Sequence, residues 1–592
     1  MNTFKINKIS GTYSDALEAY GLANLLNKIF DNRNIIPEKI IIEDKGLYFQ
    51  ITISPDITIE DIDKLSFFSL FPFIKQNNDI DISIYPDYFD YIKQKELKKE
   101  KQELIDKIYK EYKDKKDKNE REKKLKEIDN IYQIEKYIDP SLDVFQQFAS
   151  HNNYETYEKL YLNFYNNKDI FNELIKDILH YYSDKNYTDQ TLKEIIKNRD
   201  FNIKVTAIQL LNPSKGKGIK SAKANNASNT NFNNSNWIEE TMKILGALSD
   251  MVCQLVKIVA NSYDLKVFVP SYKKVNYSFK QKIIHDFKIH LKGKKPIQID
   301  ILNILILIKI AIQHLGNSII KQKVINIIDG LYSVYQKDLG QSKAVVNISY
   351  LQIPNFIYIS NKIENDEWVN ILDEQINIIG SIDERSDTIN GLMLYRNFIS
   401  TSSVYDFLNF SYWYATYLSS KLSKNEYAIP FDIETLNKFY KNMETQELNL
   451  SEIISNPGFQ AIAKAIRNST VTLQFTPKEE RMFDVRYGIA QELKSKSKSK
   501  SDLAEFIGEF ISFYNAEIAR NYEIKGSTSY RSTVKHEELD DFYALLDKYP
   551  SRLVGALLAS YGFALSKREI KNDENKEENI KNDTENILKS NN

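Results

Sequence analysis

Hydrophobic residues recur at helical spacing close to the start of the chain. Residues 15–30 (DALEAYGLANLLNKIF) place leucine and isoleucine side chains on one face, and Ser14 stands where an N-cap is expected. Residues 39–53 then alternate in polarity around Asp44-Lys45-Gly46, which predicts a β-hairpin. The beginning of the chain is therefore expected to be α+β.

The middle of the chain mixes strand and helix patterns. Residues 201–211 and 345–361 read as strands, with a further short strand at 267–270, whereas 237–260 and 283–331 read as helical. The most apolar run, 301–312, is interrupted by Asn303 and Lys309. A membrane span needs about 20 apolar residues, so this run predicts a buried core helix.

From residue 433 onward the apolar spacing is helical throughout, and short polar connections favour an antiparallel bundle. The fold class expected is α+β and predominantly helical, with α+β N-terminal and middle regions before this C-terminal bundle. The expected domains are 1–200, including a charged helical insertion at about 91–132, then 201–440, 441–568 and a disordered tail at 569–592.

The insertion combines acids and bases at i,i+4 spacing, such as Glu103 with Lys107, along a narrow apolar stripe. This pattern predicts two helices joined by a solvated tip. A charge run of this kind is more often a wet helix face than a binding site.

Composition excludes several kinds of chemistry. The 592 residues include 80 basic and 81 acidic side chains, so the net charge of −1 by itself indicates no polyanionic partner. Six histidines and the single Cys253 leave little for a metal site or an internal disulfide. We expect no metal and no cofactor. The first residues lack a signal-peptide pattern, so a cytoplasmic location is expected.

Catalytic motifs are absent or weak. The sequence contains no Walker loop, no G-x-S-x-G and no H-E-x-x-H. His285-Asp286 with His290 could belong to a metal phosphohydrolase, but a surface role is more common for such a dipeptide. Arg531 and His536 have the R-x4-H spacing of helical, HEPN-type ribonucleases, where arginine stabilises phosphate charge and histidine transfers a proton. A metal-independent ribonuclease is therefore the alternative function.

The most informative segment is the stretch from 212 to 236, which is rich in Gly, Ser, Asn and Lys. No acidic residue occurs from 201 to 238. Glycines let backbone N–H groups approach an anion, and flexible lysines bind a phosphodiester backbone. A second basic run, KSKSKSK, separates two bundle helices. A flexible linker explains either segment equally simply. The candidate nucleic-acid-binding residues are Asn212, Lys215, Lys217, Lys220, Lys223, Lys494, Lys496 and Lys498.

Three groups of segments resemble one known family. SDALEAYGLANLLNKIF resembles its first helix, and LLNPSKGKG with NWIEETMKILGAL and YDLKVFVP is similar to its middle part. AIRNSTVTLQF, FDVRYGIAQELK, EFISFYNAEIAR and LLASYGFA resemble its helical C-terminal part. The family is the large subunit of type I CRISPR surveillance complexes (Cascade), and the resemblance covers most of the chain outside the charged insertion and the tail.

The resemblance implies a non-catalytic protein. Such a subunit reads a protospacer-adjacent motif on double-stranded target DNA, contacts the crRNA handle and recruits a helicase–nuclease. Its implied partners are crRNA, target DNA, the backbone and handle-binding subunits, small subunits in some relatives, and the helicase–nuclease, with no membrane. The loop lysines match a position where DNA or handle contacts would be useful, but lysines alone do not establish base-specific reading.

Overall fold

The structure is a computed structural model that describes residues 1–77, 79, 81–112, 118–150, 154–183, 207–214, 236–259, 262–315, 321–340, 343–444, 448–476, 479, 481–525 and 531–566. The described part contains 20 α-helices and 12 strands. The predicted fold class, α+β and predominantly helical, is confirmed. The disordered tail predicted at 569–592 lies outside the described residues.

The helices are the larger set of elements. In chain order they are α1 (Tyr13–Asn32), α2 (Ile59–Asp63), α3 (Tyr91–Glu111), α4 (Lys118–Ile134), α5 (Leu142–Ser150), α6 (Tyr154–Asn166), α7 (Phe171–Ser183), α8 (Trp237–Asp250), α9 (Tyr277–Ile289), α10 (Pro296–Leu315), α11 (Lys362–Ser381), α12 (Ile389–Thr401), α13 (Val404–Ser423), α14 (Ile433–Asn442), α15 (Leu450–Ser455), α16 (Pro457–Ser469), α17 (Ile489–Lys496), α18 (Lys500–Lys525), α19 (His536–Lys548) and α20 (Ser551–Gly562).

The strands are short except in one sheet. They are β1 (Thr3–Asn7), β2 (Lys39–Asp44), β3 (Tyr48–Ser54), β4 (Phe73–Lys75), β5 (Tyr88–Asp90), β6 (Val252–Val259), β7 (Ser262–Tyr272), β8 (Lys274–Asn276), β9 (Gln322–Lys323), β10 (Ile328–Asp338), β11 (Lys343–Gln352) and β12 (Tyr358–Ile359). Two four-stranded sheets have the orders β1-β3-β2-β8 and β11-β10-β7-β6, and β9 pairs with β12 while β4 pairs with β5.

The chain divides into two compact units. Unit 1 comprises Met1–Pro296 and Ile325–Leu351, and unit 2 comprises Ile297–Val324 and Gln352–Asn592. The domain borders expected near residues 200 and 440 therefore fall inside unit 1 and unit 2. The physical reason in unit 1 is long-range pairing, because β2 joins β8 in one sheet and α1 packs against α8.

Unit 1 is organised around a very close approach of α1 and α8. A Cβ atom placed on Gly21 would lie 1.8 Å from the Met242 carbonyl oxygen, and one on Gly246 would lie 1.9 Å from the Leu17 carbonyl oxygen. Only glycine permits two helix backbones to touch in this way at both positions. The predicted apolar face of α1 is buried around this crossing, including Leu22.

Local details near α1 differ from the sequence prediction in one respect. The helix begins at Tyr13, and its N-cap is Thr12, whose hydroxyl accepts the Ser14 backbone N–H at 3.2 Å. The predicted N-cap at Ser14 is therefore wrong by two residues, and Ser14 is a helical residue. The predicted hairpin is confirmed as β2 and β3, with Gly46 in the left-handed region at its turn.

Several segments predicted as helix are strands in the sheet β11-β10-β7-β6. The helix predicted over 237–260 ends at Asp250, and β6 follows. The helical pattern predicted to run to residue 331 ends at Leu315, and β10 occupies the end of that range. Both strands pair with β7, so their conformation depends on a partner distant in sequence. The strand predicted over 201–211 is not formed at 207–211, where the chain turns.

Unit 2 contains the apolar helix α10. By length and composition it could cross a membrane, but 78% of its 18-residue apolar window is buried inside the protein. Glu384 accepts the N–H groups of Ile297 and Gln298 at 2.9 and 3.0 Å, which satisfies the beginning of the helix. The Gln298 amide in turn donates to the Ile382 carbonyl at 2.8 Å. The predicted core helix is confirmed.

The C-terminal helices of unit 2 pack as expected for a bundle. A Cβ atom on Gly458 of α16 would lie 2.1 Å from the Glu538 carbonyl oxygen of α19. Arg467, although buried, donates to the Tyr561 carbonyl of α20 at 3.0 Å. Close backbone approach and a satisfied buried guanidinium hold these three helices together.

The glycine crossing predicts a large effect of adding one methyl group. Gly21→Ala should lower the free energy of unfolding of unit 1 by about 3 kcal/mol, because the helices must separate to accommodate the new Cβ. Gly380→Ala in α11, where a Cβ would meet nothing within 4 Å, is the matched control and should be neutral or slightly stabilising. Urea unfolding of the full chain, followed by circular dichroism, measures both. Equal midpoints for Gly21→Ala and wild type would refute the crossing.

Candidate nucleic-acid interface

Asn212 stands at the point where the chain leaves the described part of unit 1 for the predicted basic loop. Its side-chain N–H groups donate to the Ile208 carbonyl at 2.9 Å and to Glu240 at 3.0 Å. Its side-chain oxygen accepts from the Ser14 hydroxyl at 3.0 Å and from Lys243 at 3.1 Å. Both ends of the amide are thus engaged inside the protein, where Asn212 fixes the root of the loop.

The loop lysines that follow Asn212 are part of the original prediction. Lys215, Lys217, Lys220 and Lys223 lie outside the described residues, so their contact with nucleic acid stays a prediction. The described neighbours show how the root is held. The Ile208 backbone N–H donates to Glu240 at 3.0 Å, and the Glu240 side chain is fully buried between α1, α8 and this turn.

Charged side chains of α1 and α8 form a cluster near Asn212, where the predicted loop begins. Burial opposes the charge of Lys243, but Glu240, Glu18 and Glu239 outweigh it and raise its pKa. Burial, and next the negative charge of Glu239, raise the pKa of Glu18 to about 8. The Tyr182 hydroxyl donates to Glu18 at 2.9 Å. At neutral pH the fold therefore keeps a proton on one carboxyl of this cluster.

The second predicted basic run in unit 2 comprises the end of α17, a tight turn at 497–499 and the first residue of α18. Ser497 is 2% exposed; its hydroxyl oxygen accepts from the Tyr412 hydroxyl at 3.0 Å, and its carbonyl accepts from Ser551 at 2.9 Å. A Cβ on Gly555 would lie 1.9 Å from the Ser497 hydroxyl oxygen, so α20 packs directly against the turn. The flexible-loop alternative is not what the structure shows here.

Lysines and serines alternate around this turn. The lysines are exposed, whereas the serine hydroxyls form hydrogen bonds within the protein. We call Lys494, Lys496 and Lys498 the basic corner; all three are exposed, while Ser495 and Ser497 bond back to the end of α17. Among the described residues, no carboxylate lies within ion-pair distance of these three lysines, whereas the neighbouring Lys500 pairs with Asp547. The corner therefore presents uncompensated positive charge on a rigid support.

Sequence reasoning overlooked a further basic segment in unit 1. Residues 273–295 contain eight lysines and a single acid, Asp286, a bias at least as strong as that of the predicted loop. Lys280 is fully buried and paired with Asp250, while Lys273 and Lys282 are exposed and have no ion-pair partner within the described ranges. The signal was present in the spacing of charges, since no acid follows Asp286 until Asp300.

The end of this segment is fixed in position. Gly293 adopts a left-handed conformation, with φ of 101°. The Gln254 amide donates to the Lys292 carbonyl at 3.1 Å, which ties the turn to β6. The segment therefore has a defined backbone from which its exposed lysines extend.

Arg531 and His536, the residues of the alternative ribonuclease, lie in different surroundings. The Arg531 guanidinium lies 3.5 Å from the centre of the Phe483 ring, and burial lowers its pKa to about 10. His536 is exposed and is the first residue of α19. No hydrogen bond joins the two side chains in the described part of the chain.

The alternative of a metal phosphohydrolase depends on His285, Asp286 and His290. His285 is exposed, and the Nδ1 atom of His290 lies 2.7 Å from the Asp286 carbonyl oxygen. Within the described ranges, no group of three His, Cys, Asp or Glu side chains could hold a metal ion. The Cys253 thiol is buried, and burial raises its pKa, so it is a poor nucleophile and a poor ligand.

Comparison with protein-family models and with curated proteins finds no match for this chain. Roles for its residues therefore rest on the sequence resemblance and on the geometry described above.

Glu18 makes the stability of the folded protein depend on pH in a predictable direction. Its pKa in the folded protein, about 8, lies above the ordinary value of 4.5, so the folded state binds the proton more tightly than the unfolded state. Stability from this group is full below pH 4.5 and is lost as pH rises to 8. Glu18→Gln keeps an oxygen for Tyr182 and should reduce the loss of melting temperature between pH 6 and pH 9. Parallel pH profiles for variant and wild type would count against the buried carboxyl.

Proposed function

We propose that this chain is a non-catalytic large subunit of a type I CRISPR surveillance complex. In this role it contributes recognition of the protospacer-adjacent motif, binds the backbone of the DNA and of the crRNA handle, and recruits the helicase–nuclease. Its partners are crRNA, target DNA and the other Cascade subunits, in the cytoplasm. The proposal combines the sequence resemblance with the distribution of exposed positive charge.

The basic corner is the observation that carries the proposal. No carboxylate lies within ion-pair distance of these lysines in the described part of the chain, and a phosphodiester backbone is the polyanion that such point charges bind without demanding geometry. The supporting turn is closed by hydrogen bonds from Tyr412 and Ser551, so binding would not have to order it. The same chemistry is supplied in unit 1 by Lys273 and Lys282, which are exposed and have no ion-pair partner among the described residues.

Binding without catalysis agrees with the residues that accompany these lysines. Phosphate contacts position a protein on nucleic acid, whereas cleavage needs a base, an acid or a metal near the bond. Two serines alternate with the lysines of the basic corner, and their hydroxyls donate to backbone carbonyls of α17. The leading proposal is preferred to the alternative ribonuclease, because the Arg531 guanidinium is packed on the Phe483 ring and no hydrogen bond joins it to His536 among the described residues.

Replacement of the corner tests the proposal. Lys494→Ala, Lys496→Ala and Lys498→Ala together should weaken binding to duplex DNA and to crRNA by about tenfold or more at 100 mM salt, because three phosphate contacts are lost. Fluorescence anisotropy with labelled strands measures the affinity. The difference in affinity between the triple variant and wild type should become smaller as the salt concentration is raised. The reason is that counterion release then contributes less to binding by wild type.

A matched control variant distinguishes the effect of where the lysines lie from the effect of the total charge removed. Lys421, Lys438 and Lys548 belong to the same unit and are each paired with a carboxylate; Lys548 is exposed, and the other two are partly exposed. Replacing these three by alanine changes the net charge equally and should leave binding within about twofold of wild type. If both triple variants lose affinity to the same extent, the corner has no special role and the assignment fails.

A further inference from the structure

The sheet β11-β10-β7-β6 has two edge strands, and their outer edges differ. At β6 the Gln254 amide donates to the Lys292 carbonyl at 3.1 Å, so the chain that follows α9 lies beside this strand. At β11 a comparable contact occurs at the first residue, where the Gln209 amide donates to the Lys343 carbonyl at 3.2 Å. Further along β11 the three consecutive residues 346–348 are exposed. Because successive side chains point to opposite faces, both faces of the strand are open to solvent there.

The composition of β11 does not protect this edge. The strand is ten residues long, and residues 344–352 include no charged side chain and no proline. Sheet proteins commonly guard a solvent-exposed edge with lysine, proline or a covering segment, since unpaired N–H and C=O groups can bind another strand. The one charged residue of β11, Lys343, stands at the end of the strand. The exposed part of the edge is therefore suited to strand addition.

Alternate residues of β11 form an exposed apolar stripe. Val346 is 58% exposed, and Ile348 and Tyr350 are each 41% exposed. All three lie on the same face of the strand, because they are two residues apart in sequence. The centre of the Tyr350 ring lies 5.0 Å from that of Tyr332 in β10, so the neighbouring strand supports the stripe. A strand that pairs with β11 would bury these side chains against its own.

The sequence of β11 is symmetric in polarity about Ile348. The polar residues Asn347 and Ser349 stand one position to either side of it, and the apolar residues Val346 and Tyr350 stand two positions to either side. An antiparallel copy of β11 centred on Ile348 therefore places Val346 opposite Tyr350, and Asn347 opposite Ser349. Apolar side chains then face apolar ones on one side of the sheet, and polar side chains face polar ones on the other.

We propose that β11 pairs in antiparallel orientation with β11 of a second copy of this chain, across a two-fold axis at Ile348. Such an interface is isologous, since both copies contribute the same residues. The pairing sends the two Lys343 side chains to opposite ends, so like charges do not meet. It joins the two sheets into one continuous sheet. The uncharged stretch 344–352 offers no cation to a phosphate backbone, so this surface is independent of the proposed function.

Sedimentation velocity of the full chain tests the proposal. We expect a reversible shift from monomer to dimer between about 1 and 100 μM, because the pairing of one strand edge is a small interface. Ile348→Lys and Ile348→Glu should each weaken the dimer by about tenfold or more, since residue 348 faces itself across the axis and like charges repel. An equimolar mixture of these two variants should recover the dimer, because lysine then faces glutamate.

The matched control variant is Leu255→Lys. Leu255 is 44% exposed and belongs to β6, the opposite edge strand of the same sheet. This variant should form the dimer as wild type does. Circular dichroism of each variant establishes that the fold is kept.

Oxidative crosslinking gives a second readout that introduces no charge. Ile348→Cys should form a covalent dimer, because residues directly opposite in an antiparallel pair have Cα atoms about 4.5 or 5.5 Å apart, within the range of a disulfide. The native Cys253 is buried, and burial raises its pKa, so it does not compete. Leu255→Cys should stay uncrosslinked under the same conditions.

Three results would overturn the proposal. A wild-type chain that stays monomeric up to about 100 μM would leave the edge for a strand of a different protein. A dimer that Leu255→Lys disrupts as strongly as Ile348→Lys would lie elsewhere on the molecule. A mixture of Ile348→Lys and Ile348→Glu that stays monomeric, with no crosslink for Ile348→Cys, would exclude a two-fold axis at this residue.

Discussion

The close contact between α1 and α8 sets the geometry of unit 1. Because Gly21 and Gly246 each face a carbonyl of the opposite helix, the two backbones touch, and no larger residue fits at either point. Their contact brings the N-terminal turn of α1 next to Glu240 and Lys243 of α8. The buried hydrogen bonds of Asn212 depend on that proximity, and through them so does the starting point of the predicted basic loop.

Buried and exposed charges in this protein are compensated to different degrees, and the net charge of −1 does not reveal this difference. Buried cations are compensated, as in the fully enclosed pair of Lys280 and Asp250 or in Lys243 beside Glu240. A buried ammonium without such a partner would be strongly destabilising. The lysines of the basic corner have no such constraint, because water solvates them. Leaving the charge of these lysines without an ion-pair partner therefore costs little.

Helical periodicity predicted the fold class, α1, the core helix α10 and the C-terminal helices, because these elements carry their own apolar faces. It failed at β6 and β10, which become strands by pairing with β7, a contact that local sequence does not encode. The candidate site was predicted in part. The exposure of Lys494, Lys496 and Lys498 follows from their alternation with serine, but the rigidity of the turn depends on Tyr412 and Ser551, which are distant in sequence. The basic segment 273–295 was visible in the charges, whereas the burial of Lys280 within it was not.

The central claim is that exposed lysines on these rigid supports bind nucleic acid. Photo-crosslinking of the full chain to RNA containing 4-thiouridine and to DNA containing 5-iododeoxyuridine, followed by peptide mass spectrometry, tests it most directly. The account predicts crosslinked peptides from the basic corner at 489–500 and from the segment 273–295, with fewer crosslinks at high salt. Absence of crosslinks, or crosslinks confined to surfaces where every lysine is paired with a carboxylate, would contradict it.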